Sequence, residues 1–185
     1  MTPDRDDPRA VLDSSVLVPH WSRRALQRIA SEPARWYTPV WSEWIVAETW
    51  RILTFRWLTS GSDGLAAPDE TRLRQTATAM MRHLLQVMEL VTVRGYTGPP
   101  PWPELTDPDD APVWQTAIIG RARSVVSHNT RHFPPLVDGR HEYGGVEYLT
   151  AIEFIEERLG EEAAERFTRS VRASALVRSR RTRTR

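Results

Sequence analysis

Val11-Leu12-Asp13-Ser14-Ser15-Val16-Leu17 is the stretch on which the reading of this chain turns. Arg9 to Asp13 reads as a short strand, Ala10, Val11 and Leu12 running apolar until they meet an aspartate, and Ser14 to Ala30 then reads as mostly helical, with Pro19 making its first half irregular. An acid so placed falls at the carboxyl end of a strand, where open parallel sheets put their ligand sites. Taken alone, Asp13 reads first as a helix N-cap.

Outward from this stretch the alternation repeats. Trp36 to Val40 reads as a second extended segment, followed by a long helix from about Trp41 to Leu58 with Ser42 or a neighbour as its cap. Gly61, Gly64 and Pro68 mark a loop. Asp69 to Val91 reads as helical, Leu73, Ala77, Met80, Leu84, Val87 and Met88 forming its stripe. Residues 95 to 112 hold six prolines and lead into a helix from about Ala111 to Arg123. Ser124 to Ser127 is a third strand, Asn129 to Gly145 a loop around Phe133-Pro134-Pro135, and Val146 to Leu149 a fourth strand. A helix over Thr150 to Leu159 follows, then Gly160 and a further helix fading into arginines. Strands alternating with helices predict an α/β domain with a parallel sheet, and no internal repeat is present.

A chain of 185 residues, 40% apolar and 26% charged, has the length of one domain or one domain with an elaboration, and its composition excludes wholesale disorder and collagen-like architecture. With no cysteine there is no disulfide, thiolate zinc site or cysteine nucleophile. The net charge of +1 hides a division: residues 166 to 185 carry eight of the 25 basic residues and no acid, leaving 17 against 24 acids before them, or −7. All the basic residues are arginine, which suits bidentate phosphate contacts. The chain has no apolar run of membrane-spanning length, and its first residues are acidic, so a cytoplasmic protein without membrane contact is expected.

Four positions invite chemistry. Besides Asp13, a helix turning about 100° per residue sets Glu48 within an arc of Trp41, Trp44, Ile45, Ile52 and Phe55, while Val46, Trp50, Leu53 and Trp57 form an opposite arc. A helix buried on two faces with a carboxylate in one of them is the expectation, and such a carboxylate needs a salt bridge or a metal. Asp110, before Ala111-Pro112, reads as a cap with proline in the first turn, and a capping carboxylate still lies at a helix mouth. Its neighbours Asp107 and Asp109 read as a solvated acidic loop. Asn129, just past the third strand, reads as a turn former that could also offer a neutral oxygen ligand. His20, His83, His128, His132 and His141 read as surface or structural residues, and the tryptophans on expected helices as core. Trp102, between prolines, is the one expected to be exposed.

In their order, Val11-Leu12-Asp13-Ser14-Ser15-Val16-Leu17, Ile45-Val46-Ala47-Glu48, Asp107-Pro108-Asp109-Asp110-Ala111 and Val125-Val126-Ser127-His128-Asn129-Thr130-Arg131-His132-Phe133-Pro134 resemble the PIN-domain family, as does the closing Gly145-Val146-Glu147-Tyr148-Leu149-Thr150-Ala151. The resemblance implies a three-layer α/β/α sandwich with a central parallel sheet over residues 9–159, preceded by an N-terminal arm (1–8) and followed by a C-terminal helix and arginine-rich tail (160–185). It implies Asp13, Glu48 and Asp110 as metal ligands and catalytic residues, Asn129 in a fourth position where many members carry aspartate, and Ser15 and Ser127 in support. The segment from Leu58 to Val93 is long for compact members.

Three gathered carboxylates repel one another by about 4 kcal/mol per pair at 4 Å and an effective dielectric near 20, so a cation or protons must intervene. All-oxygen ligands favour Mg2+ or Mn2+. The expected activity is that of a metal-dependent endoribonuclease, with a toxin of a toxin–antitoxin pair as one setting and an antitoxin or a second copy of the chain as possible partners. Arg178, Arg180, Arg181, Arg183 and Arg185 offer contacts to RNA phosphates, against the blander reading of a frayed terminus. A non-catalytic RNA-binding or protein-interaction module on a degenerate PIN fold is the alternative, motivated by Asn129. A haloacid-dehalogenase-like phosphatase fits less well, because Ser15 stands where that chemistry uses a second aspartate.

Overall fold

The computed structural model describes residues 8–32, 36–59, 70–93, 105 and 107–183. Seven strands and seven helices follow one another as β1 (Arg9–Leu12), α1 (Ser14–Leu17), α2 (His20–Ser31), β2 (Thr38–Ser42), α3 (Glu43–Thr59), α4 (Glu70–Val87), β3 (Glu89–Val91), α5 (Ala111–Ile119), β4 (Ser124–Val126), β5 (Leu136–Val137), β6 (Arg140–Tyr143), β7 (Val146–Leu149), α6 (Ala151–Leu159) and α7 (Glu161–Arg183). The strands form one sheet in the order β3-β2-β1-β4-β7-β6-β5, parallel from β3 to β7 and antiparallel in its last two strands.

The central strands are apolar throughout because both faces are covered. Val11, Val40 and Val125 are fully buried, with α5 packed across β1, β2 and β4 and the group of α2, α6 and α7 packed on one another. Right-handed crossovers send α2 and α5 to opposite faces, since the chain moves from β1 to β2 in one direction and returns from β3 to β4 in the other. The result is the expected α/β/α sandwich. Tyr37 is buried between α2 and α6, donating its hydroxyl to the Leu26 carbonyl at 2.9 Å and meeting Phe154 edge-on at 4.8 Å.

The strand order reverses direction at β1 and β4, where β1 leads outward to β2 and β4 lies on its other side. Crevices open at the carboxyl ends of strands at such switch points. Leu12 pairs with Val126, the Asp13 N–H continues the ladder to the Val126 carbonyl at 3.1 Å, and the Ser127 N–H reaches the Leu149 carbonyl at 3.0 Å. Asp13 and Ser127 are thereby fixed side by side at one edge.

Several boundaries differ from the sequence reading. Trp41 and Ser42 end β2 instead of opening α3, and Ser42 caps nothing by its side chain: its buried Oγ has no partner among the described residues. Helix α4 stops at Val87, and Glu89 to Val91, read as its last turn, pair with β2 because that strand's outer edge would otherwise stay open. The loop expected from Asn129 to Gly145 contains the hairpin strands β5 and β6. Its turns are built on Asp138 (φ 49°) with Gly139 (φ 79°), and on Gly144 (φ 60°) with Gly145 (φ 80°), pairs of positive-φ residues that suit two-residue hairpins. Helix α5 ends at Ile119, not Arg123. The arginine tail is the continuation of α7, helical to Arg183, and the α7 side chains Ala164 and Val171 are buried. The loop glycines Gly61 and Gly64, Pro68, Trp102, Arg185 and the side chains of Arg178, Arg180, Arg181 and Arg183 lie outside the described residues.

Gly120 lets α5 close onto β3: a Cβ there would stand 2.6 Å from the Thr116 carbonyl oxygen and 3.0 Å from Val91 Cγ2. Gly120→Ala is expected to destabilise the fold by about 1–3 kcal/mol, the usual cost of overpacking. A thermal melt should show a loss of roughly 2–4 °C per kcal/mol, and an unchanged Tm would mean that α5 and β3 are not in this contact.

Candidate functional site

Asp13 occupies the N-cap position of α1, yet its side chain makes no capping bond. The carboxylate is instead held by hydroxyls. Ser15 Oγ donates to its Oδ2 at 2.6 Å and Ser127 Oγ to the same oxygen at 2.8 Å, while Ser14 Oγ reaches Oδ1 at 3.4 Å. Ser15 and Ser127 stand 3.1 Å apart, and each in turn accepts a backbone N–H, Ser15 from His128 at 2.9 Å and Ser127 from Asn129 at 3.0 Å. The chain after β4 is therefore strapped to the chain after β1 through one aspartate.

Asp110 closes a 3-10 turn, Pro108–Asp110, just before α5, and it too leaves the helix uncapped by its side chain. Asp107 is the capping residue, accepting from the Asp109 N–H at 3.0 Å. The Asp110 carboxylate is turned toward a second 3-10 turn, Thr130–His132, where its Oδ2 contacts His132 Nδ1. Ligand atoms of Asp107, Asp110 and His132 lie within 4.8 Å of one another, a set able to hold a metal ion, and all three residues are half-buried. Asn129 stands beside it with Nδ2 at 2.9 Å from the same His132 nitrogen.

Glu48 approaches from α3, one turn and a half after β2. Its proton affinity is raised, chiefly by burial, with the charges of Asp13 and Asp110 adding to it against hydrogen bonding from Ser14 and the charge of Arg51. Asp110 is raised as well, again first by burial; His132 opposes the shift while Asp107 and Asp13 reinforce it. The Tyr148 phenol, buried under the site against Trp114 at 4.7 Å and Phe133 at 5.4 Å, is pushed upward by burial and then by the charges of Asp110 and Asp13. Asp13, Glu48 and Asp110 thus lie within one another's electric field, and no arginine forms an ion pair with any of them among the described residues.

The expectation of a helix buried on two faces holds only in part for α3: Ile45 from one arc and Leu53 from the other are core residues, but the aromatic residues are not. Trp44 is 57% exposed and Phe55 64%, both on the side of Glu48, and Trp50 is exposed on the other. Trp41, placed in the same arc by the sequence reading, is a buried strand residue. Glu48 itself is half-buried. Sequence reasoning also passed over Asp107 and His132. Their signals are visible in retrospect: Asp107 stands three residues before Asp110, and His132 three after Asn129, so that a tight turn at each place folds the pair onto one point. His128, in contrast, rests against the Trp21 ring at 5.6 Å, and burial lowers its proton affinity.

The donor set fits a divalent cation. Carboxylates whose protons are held more firmly because they are buried beside other carboxylates form a place where positive charge is missing, and oxygen donors with one imidazole suit a hard to borderline ion. A model of the PIN domain matches residues 9–131, more than half of the chain, and the chain belongs to that nuclease-type family. Neither the curated proteins nor the solved structures provide a match. No helix among the described residues is long and apolar enough to cross a membrane.

A glutamate kept for an internal salt bridge and one kept for a cation respond oppositely to neutralisation. Because its folded-state proton affinity is raised, ionised Glu48 opposes folding at pH values above its folded pKa, and the opposition disappears as pH falls to the unfolded value, near about 4.3. Metal-free Glu48→Gln is expected to melt a few degrees above wild type at pH 7, with the gap closing toward pH 4. A lower Tm for the variant at pH 7 would favour the salt-bridge role.

Proposed function

We propose that this PIN-domain protein is an endoribonuclease dependent on Mg2+ or Mn2+, in which Asp13, Glu48 and Asp110 hold the ion. One observation supports the reading: Asp13, Glu48 and Asp110, acids from distant segments, lie within one another's electric field near the switch point of the sheet and form no ion pair with an arginine among the described residues, an arrangement that opposes folding unless a cation is its normal occupant.

A divalent ion bound there supplies Lewis acidity toward the phosphodiester and its attacking water. The residues of the chain do the remaining work. Ser15 and Ser127 keep Asp13 in one orientation by filling one face of its carboxylate. Asn129 lies at the fourth position beside His132, whose Nδ1 is in contact with the Asp110 carboxylate, and in this reading His132 takes the place of the fourth acid. Glu48, half-buried and under the charges of Asp13 and Asp110, completes the set of carboxylates that would hold the ion. A mixed oxygen and nitrogen set favours Mn2+ over Mg2+.

Residues 9–159 form the nuclease unit in this reading, with the arginines of the tail contacting RNA. The setting of a toxin held by an antitoxin is supported by the exposed Trp44 and Phe55 flanking Glu48, an apolar surface whose cover would block the crevice.

Mixed RNA should be cleaved in the presence of Mn2+ or Mg2+, faster with Mn2+, and not after chelation. Asp13→Asn and Asp110→Asn should each lower the rate by at least ~100-fold, beyond the usual effect of altering a group that merely supports a ligand. Equal cleavage by wild type and both variants would trace the activity to a contaminant and remove the reading.

A further inference from the structure

Helix α4, in the segment that is long for the family, faces the arginines of α2 across a second pocket. Helices α2, α4 and α7 line an open pocket of about 600 Å³, bordered among others by His20, Arg23, Arg24, Arg28, Thr76 and His83, and no carboxylate is among its described lining residues. This is unexpected in a body whose first 165 residues carry −7. From Ser14 to Ser31 the chain contains three arginines and no acid, so the charge is concentrated where α2 faces α4.

The arginines are poorly compensated. Arg23 Nη1 donates to the Leu17 and Val18 carbonyls at 2.8 and 3.0 Å, which fixes its guanidinium without neutralising it. Arg28 lies over the Phe167 ring at 5.3 Å and has a carboxylate at 3.9 Å, from Glu32, and neither Arg23 nor Arg24 forms an ion pair among the described residues. Burial and the neighbouring Arg24 pull Arg23 down to about 10, still a cation at neutral pH. Guanidiniums crowded in this way are relieved by an anion, and their planar forks match phosphate oxygens.

Position supplies the second argument. Arg23 is anchored on the carboxyl end of α1, and Asp13 sits at the amino end of the same four-residue helix, about 6 Å of helix axis away. The pocket therefore begins about one helical turn from the acidic crevice. Its volume lies within the roughly 300–1,000 Å³ of small-ligand sites, room for a short single-stranded stretch.

We propose that this pocket binds the phosphate backbone of the RNA strand flanking the bond to be cut. The proposal rests on the ribonuclease reading and adds to it a holding site: the crevice has too many negative charges of its own to retain a polyanion, and the arginine pocket beside it provides the affinity.

The test is binding of a labelled single-stranded RNA to the full chain in EDTA, followed by fluorescence anisotropy as salt is raised. In Arg24→Gln/Arg28→Gln, with Arg23 left as the structural anchor, affinity is expected to fall about tenfold or more near 0.1 M salt, and the slope of log K against log salt to become shallower by about 1.4, two contacts at ~0.7 each. Ala79→Glu, at an exposed α4 position lining the same pocket, should produce a comparable loss of affinity, so the outcome does not depend on the double variant folding. Wild-type affinity and slope in either folded variant would overturn the proposal while leaving the ribonuclease reading intact if the wild type still cleaves RNA. Calorimetric binding of AMP that is lost in the double variant while its RNA slope stays unchanged would assign the pocket to a free nucleotide and overturn it also. A wild type that neither binds nor cleaves RNA would remove both.

Discussion

The hydroxyls of Ser15 and Ser127 both donate to one oxygen of Asp13, and much of the molecule is arranged around that clasp. It works because β1 and β4 are adjacent parallel strands in register, so the residues just past their ends arrive at the same height. Each hydroxyl spends its acceptor capacity on a backbone N–H from the loop after β4, and that loop then curls into the turn carrying His132. Asp110 is reached from the far side by α5, whose amino end lies at the same edge because the helix runs back across the sheet. Loosening the clasp would release the loop, the imidazole and the orientation of Asp13 together.

On either side of α1 the chain keeps charges of one sign close together with few ion pairs among the described residues. Toward the sheet edge these are carboxylates with raised proton affinity, and toward α4 they are guanidiniums in a cleft free of acids. Arginine is abundant enough in this chain to have neutralised the first group, and glutamate enough to have neutralised the second. Both omissions lower stability, and the buried apolar core of the sheet offsets them. Such local departures from the most stable arrangement are expected at functional positions.

The sequence made the central strands legible because each is a short apolar run cut off by a polar residue: β1, β4 and β7 were visible for that reason, and with them Asp13. Asp110 was visible as an acid before a proline-started helix. What escaped depends on neighbours. Glu89-Leu90-Val91 continues a helical composition, and only the open edge of β2 makes it a strand. Asp138-Gly139 and Gly144-Gly145 were hairpin signals hidden by the surrounding polar composition. Apolar spacing in α3 showed how much greasy surface the helix carries, but not that Trp44 and Phe55 would find no cover. His132 is brought to Asp110 by two 3-10 turns, a geometry without any periodic signature.

The bond between Ser127 and Asp13 joins residues 114 positions apart, and Glu48 and Asp110 fall between them. Asp13 is therefore pinned only once β4, more than a hundred residues further along the chain, has paired with β1. Contacts of such separation form late, after long loops have closed. The crevice is consequently a late product of folding, absent from any intermediate in which β1 and β2 have paired without β4.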